Sequence, residues 1–153
     1  METAEQPKPA SMFLSKKPLS SEEMIKLVDE HNEEMGSVKR SYVNKMMLWH
    51  RASYIFLRGT DKQFLIQKRT MLKGYCPGYF ELTTGGVVSA GEDDDESATR
   101  ELHEELGVDL DLKQHKLGTF KFEDAKNHIW CNLYFVDDFK GNLTLQESEV
   151  EAV

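Results

Sequence analysis

Hydrophobic and polar positions change their period several times along this 153-residue chain. The runs SYIFLR (53–58) and QFLIQKR (63–69) are rich in β-branched and aromatic residues and flank the glycine-containing turn GTDK, so they predict a β-hairpin. TMLKGYCPGY (70–79) carries two glycines and a proline and predicts a loop, and FELTTGGVV (80–88) a short strand that includes a glycine pair. The pattern turns helical from Asp94 to Leu106 and stops at Gly107, a natural left-handed C-cap. KLGTFKFEDA and NHIWCNLYFVDDF predict two further strands, with GNLTL a candidate third.

The first third of the chain is less decided. Residues 1–20 hold three of the four prolines among polar and small residues and predict a flexible leader. In SSEEMIKLVDEHNEEMG, Ser20 with Glu23 forms a capping box and Met24, Leu27 and Val28 share a helical face, yet the apolar run is short enough for a strand. Local signals lean towards the helix. A short helix is expected over Tyr42 to Trp49. Strands around one central helix predict a single domain over 21–153 of mixed α/β (α+β) class.

Composition narrows the function. A length of 153 residues supports one core. The formal charge of −8 and pI near 5.1 argue against binding a nucleic-acid polymer, which needs clustered Lys and Arg. An anionic substrate would have to be bridged by a cation. Cys76 and Cys131 are too few for a disulfide framework and lack metal-ligand spacing, which fits a reducing compartment. Apolar stretches are too short to span a membrane, and the start has neither a secretory apolar core nor an Arg-rich transit composition, so the expected location is cytoplasmic.

The chemistry concentrates in GGVVSAGEDDDESATRELHEELGV, which holds eight of the 27 acidic residues in 24 positions. On a wheel of about 100° per residue, Glu101, Glu104 and Glu105 share an arc of roughly 100°, flush against an apolar stripe of Ala98, Leu102 and Leu106. The acids therefore sit at the edge of the core, facing a cleft. Like charges at this spacing cost an isolated helix about 0.2–0.5 kcal/mol per pair, so something must offset them. Oxygen-rich clusters of this kind suit Mg2+ or Mn2+. The competing reading is a solvated face, and it is the expectation for Glu92 to Glu96, where acids also favour the helix dipole. No calcium-loop series is present.

Gly86, five residues, Glu92, seven residues, then Arg100-Glu101-Leu102-His103-Glu104-Glu105-Leu106-Gly107-Val108 resembles the Nudix box, G-x5-E-x7-R-E-U-x-E-E-x-G-U with U aliphatic, at every defined position. Looser similarity runs from Met24 onward, and HRASYIFL, LIQKRT, PGYFELTTGGVVSAGE, FEDAKN and LQESEVEAV look like a subgroup related in sequence to type I isopentenyl-diphosphate isomerases. That resemblance implies a hairpin for MIKLVDE-HNE-EMGSV, and an α/β/α sandwich with a mixed sheet and a central loop-helix-loop. Family members usually continue past a segment like LQESEVEAV into another strand and a C-terminal helix, so that helix is expected to be missing, with either a shortened domain or the N-terminal segment in its place.

The resemblance also implies an activity: metal-assisted attack of water on phosphorus in a nucleoside diphosphate derivative or a related diphosphate, with Mg2+ or Mn2+ as cofactor. Carried onto this chain, Glu104 and Glu105 are the principal metal ligands, and Glu101 joins them or acts as base for the water. Gly86 lends its carbonyl, Glu92 binds a second metal or a metal water, and Arg100 holds Glu101 in place. Later-loop acids that could serve as base or ligand are Glu147, Glu149 and Glu123, each also readable as an ordinary surface acid. Arg58, Lys68 and Arg69 are candidate phosphate contacts, though strand-edge cations also serve solubility. Trp130 and Tyr79 could stack on a base, with a core role the alternative for Trp130; His103 and His128 are read as incidental and Cys76 as structural.

Two rivals remain at this level. Isomerisation of isopentenyl diphosphate calls for a cysteine where this chain has Gly85, followed by a metal-binding histidine, and the stretch reads GGVV. A non-catalytic nucleotide-binding module commonly has eroded box glutamates, and this box is intact. Assembly is left open, with a homodimer as one option.

Overall fold

A computed structural model describes residues 21–73 and 76–153. The leader expected over 1–20, Ser20 of the capping box, and residues 74 and 75 of the loop lie outside the described residues. The ambiguous first segment is a hairpin, β1 (Met24–Val28) antiparallel to β2 (Glu34–Lys39). Its turn is set by Asp29, whose side-chain Oδ1 accepts from the backbone N–H groups of His31 at 2.8 Å and Glu33 at 2.9 Å. The local helix signal loses because the segment is paired on both sides, with β2 across the hairpin and through Lys26 N–H to Val88 O at 3.0 Å and Val28 N–H to Trp49 O at 3.1 Å, and Ile25 and Val28 are buried on its two opposite faces.

A short helix α1 (Arg40–Met46) follows, a little earlier than expected. β3 (His50–Gly59) is the central strand, with Ala52, Ile55 and Leu57 buried. It pairs in parallel with β7 (His128–Phe139), which pairs antiparallel with β6 (Lys116–Glu123). The result is a five-stranded mixed sheet in the order β2-β1-β3-β7-β6. A second, antiparallel sheet contains β5 (Phe80–Glu81), β4 (Gln67–Arg69) and β8 (Val150–Ala152), in that order. The domain is α+β, and the described residues contain two α-helices, α1 and α2 (Asp94–Leu106).

Three expectations about strands need correcting. The GTDK turn does close a hairpin, with Leu65 N–H donating to Leu57 O at 2.9 Å, but the chain then leaves β3 and β4 joins the second sheet. FELTTGGVV forms only the two residues of β5 plus isolated bridges to β3, because Gly85 at φ +137° breaks the ladder. GNLTL is not a strand: Thr144 N–H donates to Leu106 O and Gln146 N–H to Glu105 O, so the segment caps the end of α2, with Leu143 and Leu145 packed on the core. The last carbonyls of a helix have no partner within it, and this segment supplies the donors.

α2 has the expected boundaries. Asp93 is its N-cap, in a capping box with Glu96 at 2.8 and 3.2 Å, and Gly107 closes it at φ +67°. Ala98, Leu102 and Leu106 are fully buried against Ile55, Leu57, Tyr134 and Val136, and each buried leucine contributes about 1.5–3 kcal/mol. The acidic start of the helix is more structured than a solvated run. Asp95 accepts from the Tyr134 hydroxyl at 2.8 Å, and Asp94 pairs with Arg51 at 3.4 Å and Lys116 at 3.6 Å. No helix among the described residues is long and apolar enough to cross a membrane.

Candidate active site

The acidic stripe of α2 turns inward beside the apolar one. Glu101 and Glu105 are only 7% and 6% exposed, and Glu104 is half-buried. Arg100 bridges three acids of the site, Glu92, Glu101 and Glu104. Its Nε donates to Glu92 Oε1 at 2.7 Å and its Nη2 to Glu92 Oε2 at 3.1 Å, a bidentate pair. Its Nη1 donates to Glu101 Oε1 at 2.9 Å and to Glu104 Oε2 at 3.2 Å. Burial works against the guanidinium charge, but the bonds to Glu92 and the fields of Glu101 and Glu104 outweigh it and hold Arg100 above its ordinary value.

The glycine pair lies against these carboxylates. A Cβ on Gly86 would come within 2.9 Å of the Glu101 carboxyl carbon, and one on Gly85 within 2.1 Å of Ser53 O. Position 85 admits only glycine, because the obstacle is the β3 backbone, whereas at 86 the obstacle is the far end of the Glu101 side chain. Gly85 N–H donates to Glu105 Oε2 at 3.3 Å, and the Thr84 hydroxyl donates to the same oxygen. Burial pushes the Glu105 carboxyl up, and Glu101 adds to this, against the lowering effect of Thr84, the Gly85 amide and Lys73. Gly86 O accepts from Ser53 N–H at 2.8 Å, and a carbonyl retains a second lone pair.

Among the described residues, no group of three acids is placed to hold a metal ion, and Arg100, Thr84 and Gly85 hold carboxylate oxygens of the site. The donor set itself is all oxygen, with three glutamates on adjacent turns and a glycine cradle that a Cβ would fill, and it fits Mg2+ or Mn2+. Glutamate side chains have three rotatable bonds, which is the freedom by which a carboxylate can turn from Arg100 toward a cation.

Beside the pair opens a cleft of about 700 Å3 walled by Gly85, Gly86, Thr84 and Glu105. Although the chain carries a charge of −8, five cations face this cleft: Arg40, Lys45, Arg69, Lys73 and Lys126. Of the candidate phosphate contacts, the structure brings only Arg69 here, paired with Glu81 at 2.6 Å. Arg58 lies at the far end of β3, held bidentate by Asp137 at 2.9 and 2.7 Å, and Lys68 pairs with Glu151 at 3.2 Å. Of the later-loop acids, Glu149 reaches the cleft wall through its ion pair with Lys73. Glu147 is exposed on a turn, and Glu123 is exposed at the end of β6, 3.4 Å from His128.

Neither aromatic candidate lines the cleft. Tyr79 is exposed, and the Trp130 indole donates to Asp29 O at 3.3 Å. His128 stacks on Trp49 at 4.8 Å, and His103 pairs with Asp109 at 2.6 Å. Cys76 and Cys131 are free, and burial pushes the Cys131 thiol up to about 11. Lys73, Arg40, Lys45 and Lys126 were missed in the sequence: they sit in loops or at a helix edge, where no periodicity marks a lysine or arginine as facing inward.

Residues 48–153 match the NUDIX domain, and the chain belongs to the Nudix family of hydrolases. It is 39% identical over 116 residues to the uncharacterized Nudix hydrolase PA4841 of Pseudomonas aeruginosa, covering 75% of this chain and 68% of that protein. It is 38% identical over 136 residues to the uncharacterized Nudix hydrolase YfcD of Escherichia coli K12, covering 88% and 74%. The fold is similar to that of DR0079 from Deinococcus radiodurans, with a TM-score of 0.71 at 24% identity, covering 85% of this chain and 80% of that one.

Proposed function

We propose that this hydrolase cleaves a diphosphate linkage in a nucleoside diphosphate derivative or a related compound, by divalent-metal-assisted attack of water on phosphorus. The observation that carries this reading is the convergence of Glu92, Glu101 and Glu104 on Arg100, beside a glycine pair at the wall of a cation-lined cleft. Glu101, Glu104, Glu105 and the Gly86 carbonyl would hold Mg2+ or Mn2+, with Glu92 serving a second ion or its water. When bound, the metal neutralises phosphate charge and supplies an acidified water for in-line displacement.

The chain's own residues do the rest. Arg100 orients Glu101 through its Nη1, so that Glu101 can take the proton of the attacking water. Glu149 is the later-loop acid best placed to assist, once Lys73 turns to the substrate. Arg69, Lys73 and Arg40 are the cations proposed to bind phosphate oxygens, in place of Arg58 and Lys68. The hairpin β1-β2 supports the likeness to the isomerase-related subgroup, while Gly85, in the place of that enzyme's cysteine, supports hydrolysis over isomerisation. Two free cysteines support a reducing, cytoplasmic setting.

The test is a panel of diphosphate compounds assayed with Mg2+, with Mn2+ and with chelator, for the wild type and Glu104→Gln. Metal-dependent release of a monophosphate product by the wild type, reduced by orders of magnitude in the variant, supports the reading. Equal turnover in both removes the metal role of Glu104.

A further inference from the structure

The NUDIX match begins at residue 48, and the hairpin and α1 precede it, yet they reach into the site. Glu23, immediately before β1, is 8% exposed. Its Oε1 accepts from the Ser89 hydroxyl at 2.7 Å and its Oε2 from Arg40 Nη1 at 3.1 Å. Ser89 Oγ in turn accepts from Arg100 Nη2 at 3.3 Å. Backbone bonds clamp the same region: Lys26 N–H to Val88 O at 3.0 Å, Ala90 N–H to Met24 O at 2.8 Å, and Arg40 N–H to Glu23 O at 2.8 Å.

A guanidinium has five N–H donors in a fixed fork. In Arg100 they meet Glu92 Oε1, Glu92 Oε2, Glu101 Oε1, Glu104 Oε2 and Ser89 Oγ. Ser89 is the one of these acceptors that is not a carboxylate, so as a neutral oxygen it is the one a divalent cation draws on least. A serine hydroxyl has a single proton and can turn it in several directions. Because Ser89 donates that proton in its hydrogen bond to Glu23, its oxygen is left to accept from Arg100.

We propose that Glu23, acting through Ser89, is a positioning residue for Arg100, and that the N-terminal hairpin is thereby a working part of the catalytic unit. This rests on the hydrolase reading of the same site. When Glu101 and Glu104 turn from Arg100 to a cation, the Ser89 contact keeps the guanidinium in register beside them. The same Glu23 carboxylate holds Arg40, which lines the cleft, so one buried acid ties the phosphate-facing wall to the box arginine.

The experiment uses the full chain and the variants Ser89→Ala, Ser89→Thr, Glu23→Ala and the Glu23→Ala/Ser89→Ala double, with Glu104→Gln as reference. Three quantities are read: Mn2+ affinity by calorimetry without substrate, kcat and KM separately on the fastest diphosphate of the panel, and the thermal midpoint. Ser89→Ala is expected to lower kcat and Mn2+ affinity each about ten-fold with KM unchanged, and Ser89→Thr, which keeps a hydroxyl, to restore both. The double variant is expected to lose no more kcat than the larger of the two single losses, because both substitutions cut one chain of contacts. Wild-type kcat and Mn2+ affinity in Ser89→Ala, or losses that multiply in the double, overturn the proposal. If Glu23→Ala does not fold, the alanine and threonine variants of Ser89 decide alone. A wild type that hydrolyses no compound of the panel sinks the hydrolase reading by itself, and the Mn2+ affinity of Ser89→Ala still decides for Ser89.

Discussion

Adjacent glycines in this site should respond to the same substitution in opposite ways. A Cβ on Gly85 would lie 2.1 Å from the backbone oxygen of Ser53 in the central strand, at φ +137°. The backbone conformation costs an alanine about 1–3 kcal/mol, and forcing β3 aside about 1–3 more. For a domain of this size that lowers the thermal midpoint by roughly 5–20 °C. Gly86 lies outside the left-handed region, and its Cβ would meet the Glu101 carboxyl carbon at 2.9 Å, the far end of a flexible side chain. There alanine gains about 0.4–1 kcal/mol through the unfolded chain, which offsets the shift of Glu101, so stability should change by less than about 1 kcal/mol. The displaced carboxylate, however, should lower kcat/KM about 100-fold. Thermal unfolding by circular dichroism, paired with metal-dependent diphosphate hydrolysis, separates the two effects. A Gly86→Ala variant that unfolds as early as Gly85→Ala, or one that keeps full activity, would refute the assigned contacts.

Leu102→Ala removes a fully buried side chain from the centre of the α2 stripe and should cost about 2–5 kcal/mol, read as a lower midpoint in chemical denaturation. Lys73→Met should raise KM for a diphosphate about ten-fold and weaken its salt dependence, whereas Arg58→Met, outside the cleft, should leave KM unchanged. Burial holds His50 below its ordinary value of 6.5, so in the window from that value down to its folded one the unfolded chain binds the extra proton. Stability should therefore fall as pH drops through 6.5, and unfolding of wild type and His50→Gln across pH 7.5 to 5 should show that component only in the wild type.

The helix was legible because its signals agree. Asp93 and Glu96 start it, Gly107 ends it, and Ala98, Leu102 and Leu106 repeat at its period, so local and long-range preferences point the same way. β6 and β7 were legible for a similar reason. The fate of GNLTL and β4 was not, because each depends on a partner remote in sequence: the open carbonyls of Leu106 and Glu105 for the first, and Val150 and Ala152 for the second. The acidic side of the site could be read from box spacing. Its cationic side could not, since Arg40 and Lys126 reach one cleft from elements far apart in the chain, and neither position differs locally from a surface cation.

The direct test is a crystal structure of the chain soaked in Mn2+, with the metal located by its anomalous scattering. The expected result is a peak within coordination distance of side-chain oxygens from Glu101, Glu104 and Glu105 and of the Gly86 carbonyl, with Arg100 still on Glu92 or Ser89. A peak elsewhere, or full occupancy of Arg100 by Glu101 and Glu104 at saturating Mn2+, would contradict it.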